Sequence, residues 1–504
     1  MNPELAYADL IRRSRDRTVL ASCLGLLIWD QEVCMPRAGV AHRSEQSALL
    51  AGLIHDRGTD PVFDELLTTV EGSSLVSDPD SPEAVNVREL RRDYDRERRI
   101  PRKLAEELAR VHAFAAQSWA EARANNDYKS FAPWLEKVFV LAREEADAVG
   151  YVTERYDALL DNFEPGMTSD HVSVLFKQLE MQLVPMVAEL RGKSDTAPNP
   201  LAGREFPVDT QKQFFDRVAT SLGFDLESGR FDVVQHPFCS MIGTGDIRIG
   251  MRYFPQNFAG GFFALVHEVG HGLYDQGLQA EHYGTPMGDA VSLGIHESQS
   301  RLWENYVGRS LGFWRHFYPQ LQNEFPDALH DISLDTFRRS VNRVSPGLIR
   351  VQADELTYNL HIMIRFELER ALLSGDLSAP DLPGAWNELY EQRLGIRPKD
   401  DTTGCLQDVH WADGLIAYFP TYTLGNVYAA QLFAAAERAI GPLEEEFSAG
   451  DFGALRSWLG ENIHRHGRHY KPAELVERAT GSAPDPSALI ESLSRRYKSD
   501  QLHP

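Results

Sequence analysis

The strongest chemical signal in the chain is one short run, Gly261-Phe-Phe-Ala-Leu-Val-His267-Glu268-Val-Gly-His271-Gly-Leu-Tyr274. Residues four apart share a helix face, so the imidazoles of His267 and His271 can hold one Zn²⁺ while Glu268 takes a proton from the attacking water. One known variant of this pattern needs a third histidine six residues after the second, and Gly277 stands there. A carboxylate from a following helix is the remaining common option, with Glu281, Asp289, Glu297 and Glu304 in range. The loop 278–288, containing Gly284, Pro286 and Gly288, separates a helix ending near Gly277 from one resuming near Val291. His271 lies six residues before that end and Glu297 six after that start. Each is then about 9 Å into its helix at ~1.5 Å per residue, and an antiparallel hairpin sets them opposite one another. Glu304 would sit deeper, opposite about Ala264. Gly270 and Gly272 each weaken a helix interior by about 1 kcal/mol relative to Ala, a cost expected where another backbone or a substrate comes close. Three protein ligands leave a fourth position for water, which is the pattern of catalytic zinc.

Hydrolysis of an acyl bond also needs donors for the negative oxygen that develops. The segments Gly404–Trp411 and Ala417–Gly425 concentrate His, Tyr, Asp and Gly ahead of a helix, and His410 and Tyr422 are the candidates there. The same composition also fits an aromatic loop packed on the core. Reading a terminal carboxylate calls for the rigid fork of an arginine. Arg350 and Arg248 stand in unusual local settings, although most arginines serve surface ion pairs. His464, His466 and His469 read as a solvated, locally basic helix end, because neither carboxylate nor cysteine accompanies them.

The elements that must position these groups are mostly helices. Leu104, Leu108, Val111, Ala115 and Trp119 form one stripe of a helix starting at Pro101. Helical spacing recurs over 86–100, 134–162, 169–191, 260–277, 290–310, 335–374, 384–393, 424–441 and 450–466. Breaks rich in Pro, Gly, Ser and Asp fall near 72–82, 192–207, 374–383 and 397–404. Two β runs, 231–237 and 246–254, flank a Gly-containing turn at 242–245 and predict a small antiparallel sheet beside the zinc helix.

With 504 residues and 51 basic against 74 acidic side chains, the chain carries a formal charge of −23. That balance disfavours nucleic acid as a partner. The four scattered cysteines exclude a disulfide scaffold and fit reduced thiols in the cytoplasm. The Leu20-Ala-Ser-Cys23 box fails as a signal because its apolar run continues past it. No apolar segment approaches the ~20 residues needed to span a bilayer.

Taken together, the motifs resemble the carboxypeptidase Taq family of zinc metallocarboxypeptidases. The pattern is carried by His236-Pro-Phe238, Asp246-Ile-Arg248, His267-Glu-Val-Gly-His271, His296-Glu297-Ser-Gln299, Ile349-Arg350-x-x-Ala-Asp354 and Gly404-x-x-Gln-Asp-x-His410-Trp411. It extends to Trp29-Asp30…Met35-Pro36 and Glu474-Leu…Thr480-Gly481, nearly the whole chain. The resemblance implies zinc, one per chain with Co²⁺ or another divalent ion able to replace it, on His267, His271 and Glu297. It implies Glu268 as general base, Arg350 as reader of the terminal carboxylate, and cleft roles for His236, Asp246, Arg248, His410 and Tyr422. It implies one catalytic domain over 1–504, a large, mostly helical single body whose halves flank a deep cleft, and a cytoplasmic homodimer acting on peptides. The expected reaction is broad-specificity removal of C-terminal residues. An endo-acting zinc oligopeptidase is the nearest alternative, and a binding scaffold with a structural zinc is a more distant one. One departure stands out: the family usually has Thr where this chain has Gly250.

Overall fold

The predicted apolar stripe falls on the helix Arg102–Asn125, with Val111 and Ala115 buried and Asn126 closing it in the left-handed region at φ 52°. In this computed structural model, residues 2–194 and 199–499 are described, so 195–198 of the expected break at 192–207 lie outside the described residues. The chain forms two compact units: Met1–Arg98, Asn199–Val341 and Leu432–Gly481 make the first, and Arg99–Pro198, Asn342–Gln431 and Ser482–Pro504 the second. Among the described residues no helix is long and apolar enough to cross a membrane.

The first unit holds the histidine motif on the helix Phe258–Gly277, whose N-terminus is capped by Asn257 accepting from Gly260 N–H. Its apolar residues meet an aromatic core in which Phe262 lies 4.9 Å from Trp314 and 5.5 Å from Phe258, centroid to centroid. Beside it stands a sheet of β1 (Gly229–Val233), β2 (Phe238–Gly243) and β3 (Asp246–Met251), in the order β1-β3-β2. The expected antiparallel sheet is corrected here: β2 and β3 pair antiparallel, but β1 pairs parallel with β3. The run 231–237 supplied only the parallel strand. The hairpin partner, Phe238–Gly243, has Cys, Ser and Gly among its six residues and little alternation, so it gave no strand signal.

Further expectations change, and the helix expected over 134–162 is two, Tyr128–Val149 and Arg155–Leu160, parted at Gly150. The helix expected over 335–374 is two, Leu334–Val341 and Glu355–Ser374. Ser345-Pro346-Gly347 interrupts it, and Asp354 starts the second by accepting from Leu356 and Thr357 N–H. The N-terminal helices Pro3–Val33 and Val40–Gly58 were not anticipated. They bury few residues, so their sequences lack the apolar stripe that periodicity detects.

Candidate metal centre and recognition cluster

Within the first unit, the helix Leu293–Arg301 follows the histidine helix, capped by Ser292 at Ile295 N–H. The two pack so closely that a Cβ on Gly270 would come within 2.6 Å of Ser300 Cα and 2.8 Å of the Gln299 carbonyl oxygen. A Cβ on Gly272 would press on Phe224 at 2.7 Å and on Ile249 of β3 at 3.3 Å. The first glycine therefore admits a helix backbone and the second admits side chains.

This approach brings Glu297 Oε2 to 3.5 Å from both His267 Nε2 and His271 Nε2. The ligand atoms of all three residues lie within 4.8 Å of one another. The other nitrogen of each ring is already engaged: His267 Nδ1 lies 3.0 Å from Glu304 Oε2, and His271 Nδ1 lies 3.0 Å from the His296 carbonyl. Acceptors at Nδ1 favour the tautomer protonated there, the one in which Nε2 can serve as a metal ligand. Two imidazole nitrogens and one carboxylate oxygen are a donor set suited to a divalent ion.

Charges around the trio are arranged to keep Glu297 ionised. Burial opposes its charge, but Arg301, His267 and His271 hold its carboxyl well below the usual range. Arg301 Nε donates to Glu297 Oε1 at 2.7 Å, and its Nη1 to Glu304 Oε2 at 3.3 Å. Glu304 is lowered to about 2 because Arg301, His267 and Arg309 outweigh its burial. Glu268, by contrast, is pushed up to about 7 by burial. Burial and neighbouring His296 lower His271 to about 4.

The remaining first-unit candidates occupy the sheet. Arg248 donates to both oxygens of Asp246 at 2.8 and 2.9 Å, and its guanidinium lies 4.1 Å over the Trp29 ring. Trp29 Nε1 donates to Asp232 at 3.1 Å, tying the N-terminal helix to β1. His236 is exposed in the bend between β1 and β2. Gly250 is accounted for by packing: a Cβ would meet Val234 at 2.7 Å and the Phe238 ring at 2.8 Å. His464 departs from the expected solvated end, being 2% exposed with Nε2 3.0 Å from Gln299 Oε1.

The second unit assembles Arg350, His410 and Tyr422. Arg350 is buried, donating through Nε and Nη2 to Asp408 Oδ1 at 3.0 and 2.9 Å and through Nη1 to Tyr358 OH at 3.1 Å. Its guanidinium lies 5.1 Å over the Tyr422 ring. His410 Nε2 is 3.1 Å from Tyr422 OH, and burial with the nearby Arg350 lowers His410 to about 4. Its Nδ1 is buried without a hydrogen-bond partner among the described residues.

The family profile described as carboxypeptidase Taq (M32) metallopeptidase matches residues 9–497. The chain belongs to this family. Thermostable carboxypeptidase 1 of Thermus thermophilus is 48% identical over 506 residues, covering 99% of each chain. Carboxypeptidase 1 of Bacillus subtilis is 35% identical, with 98% of each covered. The crystal structure of the M32 carboxypeptidase from Deinococcus radiodurans R1 superposes with a TM-score of 0.95 at 39% identity, covering 98% of this chain and 99% of that one. This M32 chain is accordingly a metallocarboxypeptidase, a hydrolase acting at peptide C-termini, and the family implies a divalent metal.

Several groups of this M32 carboxypeptidase escaped sequence reasoning. Glu304 was considered only as a ligand, whereas it supports His267. It stands in a π-helical stretch, Leu302–Val307, which continues directly from the ligand helix. Arg301 was legible in principle, four residues after Glu297 on one helix face. Asp408, which links Arg350 to Arg365, and Arg365 itself are brought together with Arg350 only by tertiary folding.

Proposed function

We infer that this carboxypeptidase uses zinc held by His267, His271 and Glu297, and that Glu268 is its general base. The observation that carries this is the convergence of both Nε2 atoms on Glu297 Oε2, each with its Nδ1 already fixed. When bound, the ion supplies Lewis acidity, acidifying water and polarising the peptide carbonyl. Glu268, adjacent to His267 in sequence and raised to about 7, is suited to accept a proton from water and return it to the leaving amine near neutral pH. His410 or Tyr422 would donate to the oxygen that becomes negative, and their mutual hydrogen bond orients the one that donates. Arg350 would bind the substrate's terminal carboxylate, with Asp408 and Tyr358 fixing its fork. We assign His236, Asp246 and Arg248 to substrate binding on the family pattern. In this structure the Asp246–Arg248 pair also braces Trp29.

We take the specificity to be broad, the setting cytoplasmic and the assembly a homodimer. Supporting the last, the helices Pro3–Val33 and Val40–Gly58 expose Val19, Ile28, Val40 and Leu49. The decisive assay digests one peptide as free acid and as C-terminal amide, with and without chelator, and reads products by mass spectrometry. Stepwise C-terminal loss from the free acid alone, abolished by chelator, is expected. Internal cleavage of the amide would overturn the exopeptidase reading in favour of an endo-acting enzyme.

A further inference from the structure

Asp408 is shared by two arginines. Arg350 occupies its Oδ1, and Arg365 Nε donates to Oδ2 at 2.7 Å. The Arg365 side chain is wholly buried and Asp408 nearly so. Arg365 Nη1 donates to the His361 carbonyl at 2.8 Å, and its guanidinium lies 4.6 Å over Trp386 and 5.4 Å over Phe419. Enclosed on these sides, Arg365 does not itself reach a ligand.

Two cations and one anion leave the cluster with one positive charge. The other ionisable neighbours do not cancel it. His361 and His410 are kept neutral by burial and by the arginines. Glu369 is engaged elsewhere, accepting from Tyr156 OH and Trp411 Nε1 at 2.7 Å each, and burial pushes it up to about 8, against its charged form. An isolated Arg350–Asp408 pair would be neutral overall, and a neutral buried pair offers an incoming carboxylate little net attraction. The second arginine changes that balance.

We propose that Arg365 is a positioning residue for substrate selection: by occupying the far oxygen of Asp408 it leaves the cluster the uncompensated positive charge with which Arg350 binds a peptide's free terminal carboxylate. This rests on the reading of Arg350 as the carboxylate contact. It extends that reading to a residue that touches no substrate, and it makes selectivity depend on the charge of the trio rather than on Arg350 alone.

The test is steady-state kinetics of the metal-loaded full chain on a free-acid peptide, with folding checked by thermal unfolding. Arg365→Gln should raise KM about tenfold or more while kcat changes far less. Arg365→Lys, which keeps the charge, should recover most of the affinity. Arg365→Gln combined with Asp408→Asn restores one net positive charge, and its KM should fall below that of Arg365→Gln alone. An unchanged KM in folded Arg365→Gln, a loss confined to kcat, or a double variant no better than the single would overturn the proposal. If Arg365→Gln does not fold, Arg365→Met, which keeps side-chain volume against Trp386, takes its place with the same readings: a raised KM supports the charge argument and an unchanged KM overturns it. Arg350→Ala separates the two levels. Should it leave KM unchanged, the underlying reading fails; should it raise KM while the Arg365 series does not, only the present proposal fails.

Discussion

Glu268 and Glu297 are both buried glutamates beside the same histidine, yet their surroundings drive them apart. Glu297 faces Arg301 and two imidazoles and stays ionised, as a ligand must, whereas Glu268 is raised to about 7 by burial, where a base can both take and release a proton. Replacing Glu268 with Gln should therefore leave bound metal unchanged while kcat falls about 10²–10⁴-fold, the span typical of general base catalysis. Full activity with normal metal content would remove Glu268 from the mechanism. His267→Ala should lose both metal and turnover. Glu304 acts one step further out, on His267 Nδ1 at 3.0 Å. Glu304→Ala is expected to weaken metal binding about 10–100-fold, measured by competition with a chelator, since outer partners fix ring orientation and basicity. Undiminished affinity would show that the contact does not orient the ring.

At the scale of elements, the metal centre is a contact between two helices, and Gly270 sets its closeness. Gly270→Ala places a methyl 2.6 Å from Ser300 Cα, so the helices must separate. Overpacking of this kind costs about 1–3 kcal/mol, and here it also moves Glu297 away from the histidines. A lower unfolding temperature together with weaker metal binding is expected, and normal values of both would contradict the role given to this glycine. The approach of Glu297 to His271 was legible from the helix count only roughly: the first helix ends at Gly277 as expected, but the second starts at Leu293 and not near Val291, so Glu297 lies four residues in against six for His271. Glu304 was not legible, because a straight-helix count puts it opposite Ala264 and takes no account of the π-helical stretch Leu302–Val307. The hairpin strand Phe238–Gly243 was hidden by its small residues, and the parallel pairing of β1 with β3 cannot be read from either strand's pattern. The Arg350–Asp408–Arg365 cluster joins residues up to 58 apart in sequence and became visible only with the fold. Gly250, which looked like a missing hydroxyl, proved to be the space that Phe238 and Val234 fill.

Over the whole molecule, two properties follow from burial and surface. Glu369 is raised from 4.5 to about 8, so the folded protein prefers its protonated form. Its favourable contribution is complete below about 4.5 and is lost progressively as pH rises through about 8. Glu369→Gln removes that titration. The stability of the unsubstituted protein should therefore fall relative to the variant between those limits, as followed by denaturant unfolding at several pH values. A difference independent of pH would contradict the assignment. The apolar side chains exposed on the two N-terminal helices predict a dimer of the 56.8 kDa chain by light scattering, and a monomer at micromolar concentration would contradict it.

Anomalous diffraction from the zinc-loaded protein addresses the chemistry most directly. One peak should stand about 2.0–2.2 Å from His267 Nε2, His271 Nε2 and a Glu297 carboxylate oxygen, with a further coordination position open to solvent. A peak elsewhere, or an ion bound by the two histidines with Glu297 turned away, would contradict it.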